Sequence, residues 1–231
     1  MGSGSLAHLS VPRLARRGLG ALLALLGAIT VCLANPDLDR VVELAREHYG
    51  IHAAQTVDTW RDLVETNRDL PELEKLELVN TFFNHNVDFE PDALVWGRTD
   101  YWATPLETLG RGQGDCEDYS IGKYVTLGLL GVPIERLRIT YVRAETGLPG
   151  SGVVQAHMVL AYYPEPGAEP LILDNLVGQL RRASHRPDLK PVFGFNSEGL
   201  WVAGKKALAD PTARLSRWRD LLRRMNDQGL N

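Results

Sequence analysis

Asp115-Cys116-Glu117-Asp118-Tyr119-Ser120-Ile121 opens a stretch that runs on to Leu129-Leu130-Gly131-Val132-Pro133. Asp115 is a good N-cap residue, and Gly followed closely by Pro is a common helix ending, so the stretch predicts a helix over 117–130 with Cys116 in its first turn. A thiol placed there faces the positive end of the helix dipole, which favours thiolate. Asp115, Glu117 and Asp118 oppose that effect, because neighbouring carboxylates raise a thiol pKa unless a His⁺ partner or a bound cation neutralises them.

Downstream of this helix, the alternation of residue types predicts strands over 137–143 (LRITYVR), 157–163 (HMVLAYY) and 171–176 (LILDNL), with shorter strands near 192–195 and 200–202. Upstream the pattern is helical. Leu38, Val41, Val42, Ala45 and Tyr49 recur at three and four before Gly50, and further helices are expected over 57–64 and, after Pro71, over 73–83. Segment 86–115 lacks periodicity and reads as a long structured loop, a kind of segment that is usually functional. The tail over 211–225 reads as an amphipathic, Arg-rich helix. Helices first and antiparallel strands later indicate an α+β fold.

The turn-rich linker 164–170 (PEPGAEP) suits an antiparallel pair. If Tyr163 sits opposite Ala168, His157 falls opposite Asp174, on the same face and within side-chain reach. A register shift of one would separate them. Cys116, His157 and Asp174 then occur in the order that a papain-type or transglutaminase-type site requires, with the nucleophile at a helix start and the base and its orienting acid on adjacent strands. Each residue also has a plainer reading. Cys116 could be a small core residue, His157 a satisfied core or edge histidine, and Asp174 the start of a turn. By placement, Gln113 is a candidate oxyanion donor beside the Cys116 N–H, or an ordinary loop residue. Trp96, Tyr101 and Trp102 could wall a cleft or anchor their loop.

The chain has 231 residues, 44% hydrophobic and 23% charged, enough for one compact domain or two small ones with a real core. Two cysteines with no CxxC and no Cys/His cluster argue against a disulfide scaffold and a structural zinc site. A net charge of −4 lacks the basic footprint of a nucleic-acid binder. Arg13, Arg16 and Arg17 precede an uncharged apolar run over 18–34, followed by Asn35-Pro36-Asp37. That is the layout of a secretory signal peptide over 1–34, cleaved after Ala34, with an uncleaved anchor as the alternative; residues 35–231 form the working domain. Losing the three Arg of that segment leaves 22 basic against 29 acidic residues, a net charge of −7, and Cys116 as the one cysteine. A lone thiol in an oxidising compartment is either buried or in use.

Four segments carry a family resemblance: Gly97-Arg98-Thr99-Asp100-Tyr101-Trp102-Ala103-Thr104-Pro105-Leu106-Glu107, Gly114-Asp115-Cys116-Glu117-Asp118-Tyr119, Ala156-His157-Met158-Val159-Leu160 and Leu173-Asp174-Asn175-Leu176. Together, over about 79–201, they resemble the bacterial transglutaminase-like cysteine proteinases. The resemblance implies a papain-like fold of the transglutaminase type, an N-terminal helical part followed by an antiparallel sheet. It also implies a cysteine endopeptidase with Cys116 as nucleophile, His157 as base and Asp174 as orienting acid. It further implies dependence on Ca²⁺, with Asp115, Glu117 and Asp118 as ligands. Calcium takes 6–8 oxygens, so three side chains would need help from carbonyls or water, and the same acids are otherwise explained by helix capping.

For function, the resemblance implies a periplasmic enzyme that cuts the N-terminal region of a large cell-surface adhesin, typically at a di-alanine site, and so promotes biofilm dispersal. It implies a regulatory partner as well, an inner-membrane cyclic-di-GMP receptor that sequesters the protease on its periplasmic side. A transglutaminase or acyltransferase using the same triad is the alternative. An intact triad argues against a non-catalytic binding module.

Overall fold

Leu38, Val41, Val42 and Ala45 are buried along one side of the first helix, α1 (Leu38–Tyr49), as their spacing predicts. The computed structural model describes residues 1–2, 36–147, 152–202, 205–207 and 209–230. The apolar run expected to be an export signal lies outside them, and among the described residues no helix is long and apolar enough to cross a membrane. Helix α2 (Ile51–Thr66) starts six residues before the predicted helix 57–64. Gly50, at φ 89°, turns the chain directly from α1 into α2, and Ala53 and Ala54 extend the buried face. Helix α3 (Glu72–Asn86) follows Pro71.

Segment 86–115 is not a loop. It holds β1 (Asp88–Phe89), α4 (Asp92–Val95), α5 (Pro105–Arg111) and β2 (Gln113–Gly114), with β1 and β2 paired in parallel. A local signal for α5 is present in Thr104-Pro105-Leu106-Glu107. The Thr104 hydroxyl accepts the Glu107 N–H at 3.2 Å, while Glu107 Oε2 accepts the Thr104 N–H at 2.9 Å. This is a reciprocal capping box with Pro at the first helical position. Gly112, at φ 65°, ends α5 in the left-handed conformation and turns the chain towards the central helix α6 (Cys116–Leu129).

Seven strands form one antiparallel sheet: β3 (Leu137–Glu145), β4 (Val154–Tyr162), β5 (Leu171–Leu173), β6 (Arg181–Arg182), β7 (Leu189–Phe195), β8 (Leu200–Val202) and β9 (Lys205–Ala207). Their order is β6-β5-β4-β3-β7-β8-β9. Helix α6 packs against both β4 and α3. Ile139, Met158, Leu160 and Leu173 join Trp60, Phe83, Ile121 and Leu127 in the main core, whereas Val142, Val159, Ala161 and Ile172 form a smaller cluster. That division is the two-residue period of a pleated sheet. The tail is two helices, α7 (Pro211–Arg214) and α8 (Ser216–Asp227), separated at Leu215, which leaves helical geometry at ψ 95°. Trp218 of α8 is fully buried, edge-on to Tyr124 and Phe195.

The β4–β5 register differs from the predicted one. Leu160 pairs with Leu173, Ala161 with Ile172 and Tyr162 with Leu171, a shift of two, and β5 stops at Leu173. Side chains alternate with period 2, so an even shift leaves every residue on its own face. His157 and Asp174 therefore remain on one face as diagonal rather than directly opposed neighbours.

Candidate active site

Helix α6 begins in a tightly packed corner. Asp118, with no solvent exposure, accepts the Ala103 N–H at 2.7 Å on one carboxylate oxygen and the Asp115 N–H at 3.4 Å on the other. A Cβ at Gly114 would lie 2.7 Å from Asp118 Oδ2. Gly114→Ala is therefore expected to lower stability by about 1–3 kcal/mol, the usual cost of overpacking, read as a fall in melting temperature.

Cys116 is the first residue of α6 and is half-buried. Its thiol donates to Glu117 Oε2 at 3.1 Å. Burial, then the Glu117 and Asp115 carboxylates, push the thiol pKa up and outweigh a backbone hydrogen bond at Met158. Burial and these two carboxylates thus work against the dipole effect expected at a helix start. His157, 3% exposed on β4, lies with Nε2 2.8 Å from Asp174 Oδ1. The Leu176 N–H donates to the same oxygen at 3.0 Å, and Arg186 Nη2 donates to Oδ2 at 2.7 Å. Burial raises the Asp174 pKa, but hydrogen bonds from His157, Leu176 and Arg186 outweigh it and bring it to about 2. An ionised carboxylate only accepts hydrogen bonds, so Nε2 carries the ring proton and Nδ1 is left to exchange one.

Cys116 and His157 line one cavity of about 450 Å³, together with Trp102, Glu117, Met158 and Leu176. Trp102 stacks on Phe195 at 5.4 Å, so of the three aromatic residues singled out in the sequence it is the one that walls the cavity. Trp96 and Tyr101 lie off the cavity and pack on each other, their ring centroids 4.7 Å apart, with Arg98 and Arg224 over Tyr101. Gln113 pairs with Asp88 across β1 and β2 and does not line the cavity, so the geometry lends its oxyanion role no support.

Around the start of α6 the structure adds two carboxylates to the three predicted. Ligand atoms of Asp92, Asp100 and Glu117 lie within 4.8 Å of one another, and so do those of Asp92, Asp115 and Asp118, and of Asp115, Cys116 and Glu117. Asp92 Oδ2 accepts the Tyr101 N–H, while buried Asp92 Oδ1 and Asp115 Oδ1 have no hydrogen-bond partner among the described residues. Burial, assisted by Glu117 and Asp100, raises Asp92 to about 6. Burial, assisted by Glu117, Asp118 and Asp92, raises Asp115 to about 10. Crowded carboxylates with orphaned buried oxygens fit a hard divalent cation, which takes oxygen ligands and relieves their mutual repulsion.

Two further cations sit near Asp174. Lys123, buried on α6, donates to Asn84 Oδ1 at 2.8 Å, and Asn84 Nδ2 donates to the Asp174 carbonyl at 2.9 Å. Burial lowers Lys123 to about 7, an effect Asp174 partly offsets. Arg186 follows a short 3₁₀ turn (Ala183–His185), and no local pattern in the sequence marks it.

The family model for bacterial transglutaminase-like cysteine proteinases matches residues 51–187. The solved structure of Legionella pneumophila LapG is similar at 41% identity, over 81% of this chain and 97% of that one, with a TM-score of 0.69. Its EGTA-treated form matches at 41% identity over the same shares with a TM-score of 0.70. Its calcium-bound form matches at 41% identity over 81% of this chain and 98% of that one, with a TM-score of 0.69. No curated protein matches the chain.

Proposed function

The chain belongs to the bacterial transglutaminase-like cysteine proteinases, and from that premise we propose that it is a calcium-dependent periplasmic endopeptidase working through Cys116, His157 and Asp174. The observation that carries the reading is the buried His157–Asp174 hydrogen bond beside a cavity that also holds Cys116 at a helix start. Once the thiol turns from Glu117, His157 Nδ1 takes its proton and the sulfur attacks the peptide carbonyl carbon. The imidazolium then gives the proton to the leaving amine, and water, deprotonated by the same ring, cleaves the thioester. The Cys116 N–H, free of an intrahelical partner in the first turn, is the oxyanion donor.

Asp92, Asp100, Asp115, Glu117 and Asp118 are the side chains that would hold calcium, Asp118 being also bonded to Ala103 and Asp115. Bound there, the ion supplies positive charge that offsets the carboxylates crowding the thiol. Similarity to a structure solved with calcium supports the choice of metal. Calcium is expected to raise the melting temperature of the purified protein, and EGTA to reverse both that rise and peptide cleavage. A melting temperature and a cleavage rate indifferent to EGTA would count against the site.

The substrate reading is a LapA-like surface adhesin cut near its N-terminus at a di-alanine site, with release from the cell surface and biofilm dispersal as the outcome. A cavity walled by Trp102, Tyr141, Met158 and Phe193 suits small residues at the cut. The regulatory partner is a LapD-like cyclic-di-GMP receptor of the inner membrane. The test is to incubate the protein with the N-terminal portion of a candidate adhesin, with and without Ca²⁺ and with a labelled amine present. Calcium-dependent hydrolysis is expected. Amine incorporation outrunning hydrolysis would make the enzyme an acyltransferase.

A further inference from the structure

We infer that Arg186 is a positioning residue for the His157–Asp174 pair: its guanidinium holds Asp174 ionised and oriented, and so determines which imidazole nitrogen carries the proton. The inference rests on the proposed protease reading only for its effect on turnover. Asp174 is 1% exposed and Arg186 4%, so no solvent compensates for either charge. Each Asp174 oxygen has a separate duty. Oδ1 accepts from His157 Nε2 and the Leu176 N–H, and Oδ2 accepts from Arg186 Nη2.

Arg186 is itself fixed from the other side. Its Nε lies 3.1 and 3.2 Å from the two Asp188 oxygens, and its Nη2 lies 2.8 Å from Asp188 Oδ2. The result is a row of alternating partners, His157, Asp174, Arg186 and Asp188, running from β4 to β7's entry. Lys123 reaches Asp174 only through Asn84, and at its backbone carbonyl rather than its carboxylate. Arg186 is therefore the one cation bonded to the carboxylate among the described residues. Without it, Oδ2 would be buried and unsatisfied, and the carboxyl would rotate or take up a proton. A protonated Asp174 whose O–H turns to His157 donates to Nε2 instead of accepting from it, and the tautomer with Nδ1 free is no longer enforced.

Nitrogen-15 NMR of the imidazole rings, with peptide kinetics on the same full-chain samples, tests this. In the native protein His157 is expected as the Nε2–H tautomer. Arg186→Met should mix the tautomers and lower kcat about tenfold to a hundredfold, the worth of one charged hydrogen bond, with little change in KM. Arg186→Lys, which restores one charged donor, should recover the native tautomer and part of kcat. Asp188→Asn keeps the guanidinium with a weaker anchor and should give a smaller shift in the same direction; it carries the test if Arg186→Met does not fold. A native ring spectrum and native kcat in Arg186→Met, or in Asp188→Asn where only that variant folds, would overturn the inference. If the tautomer responds as expected but the native chain cleaves no peptide, the protease reading fails and the role of Arg186 stands.

Discussion

Cys116→Ala is expected to remove peptide cleavage, lowering kcat by about a millionfold, the scale seen when the nucleophile of a catalytic triad is deleted. The same variant should melt within a few degrees of the native protein. The sulfur is half-buried, and its hydrogen bond goes to Glu117, a carboxylate that its removal leaves facing the cavity. Little packing is lost when a Cys at the first position of a helix becomes Ala, the best helix former. Activity measured by fragment release from an adhesin N-terminal segment, and stability by thermal denaturation of the same sample, separate the two effects. Residual cleavage at the native rate would remove Cys116 from the mechanism.

Asp174→Asn carries the second large effect, and here the reason lies with Arg186. Asparagine has one acceptor oxygen and one NH₂ group. If its oxygen faces His157 and the Leu176 N–H, its NH₂ points at Arg186 Nη2, donor against donor. If it flips, the NH₂ faces His157 Nε2 and forces the proton to Nδ1, the nitrogen that accepts from the thiol in the proposed mechanism. Either way the guanidinium loses the charge of Asp174 and keeps only that of Asp188. Breaking a buried ion pair on one side costs about 3–5 kcal/mol, less here because Asp188 still pairs with Arg186, and the wrong imidazole tautomer costs about ten-thousand-fold in kcat. The variant should therefore lose both stability and turnover. The double variant Asp174→Asn with Arg186→Met, which removes the cation facing the asparagine, should regain part of the stability but not activity. Circular dichroism melts beside single-turnover cleavage would show it, and an Asp174→Asn enzyme with native stability and rate would rule the arrangement out.

How much of this was open to sequence reasoning differs from one element to the next. Helix α6 is legible because its signals are local: an Asp cap, a closing Gly-Val-Pro and an apolar interior. The pairing of His157 with Asp174 is legible only to parity. A turn-rich linker gives the hairpin but not its register, and the two-residue error is harmless because an even shift preserves the face. Helix α5 carries a readable capping box in Thr104-Pro105-Leu106-Glu107, hidden by the irregular sequence around it. The tail reads as one helix because Leu215 fits the apolar period; its break shows only where packing against Tyr124 and Phe195 is seen. Asp92, Asp100 and Arg186 are a different matter. They reach the site through tertiary contacts across 12 or more residues of sequence, and a lone charged residue in a loop carries no local mark of its partner.

The central claim is that Cys116 attacks a peptide carbonyl and that water, not an amine, resolves the thioester. Rapid acid quench of calcium-loaded protein mixed with a cleavable peptide, followed by mass spectrometry of the digested enzyme, tests it directly. The prediction is a transient acyl adduct on the fragment containing Cys116, decaying to free carboxylate product and absent from Cys116→Ala. Peptide cleavage with no adduct at Cys116, at a rate Cys116→Ala shares, would contradict it.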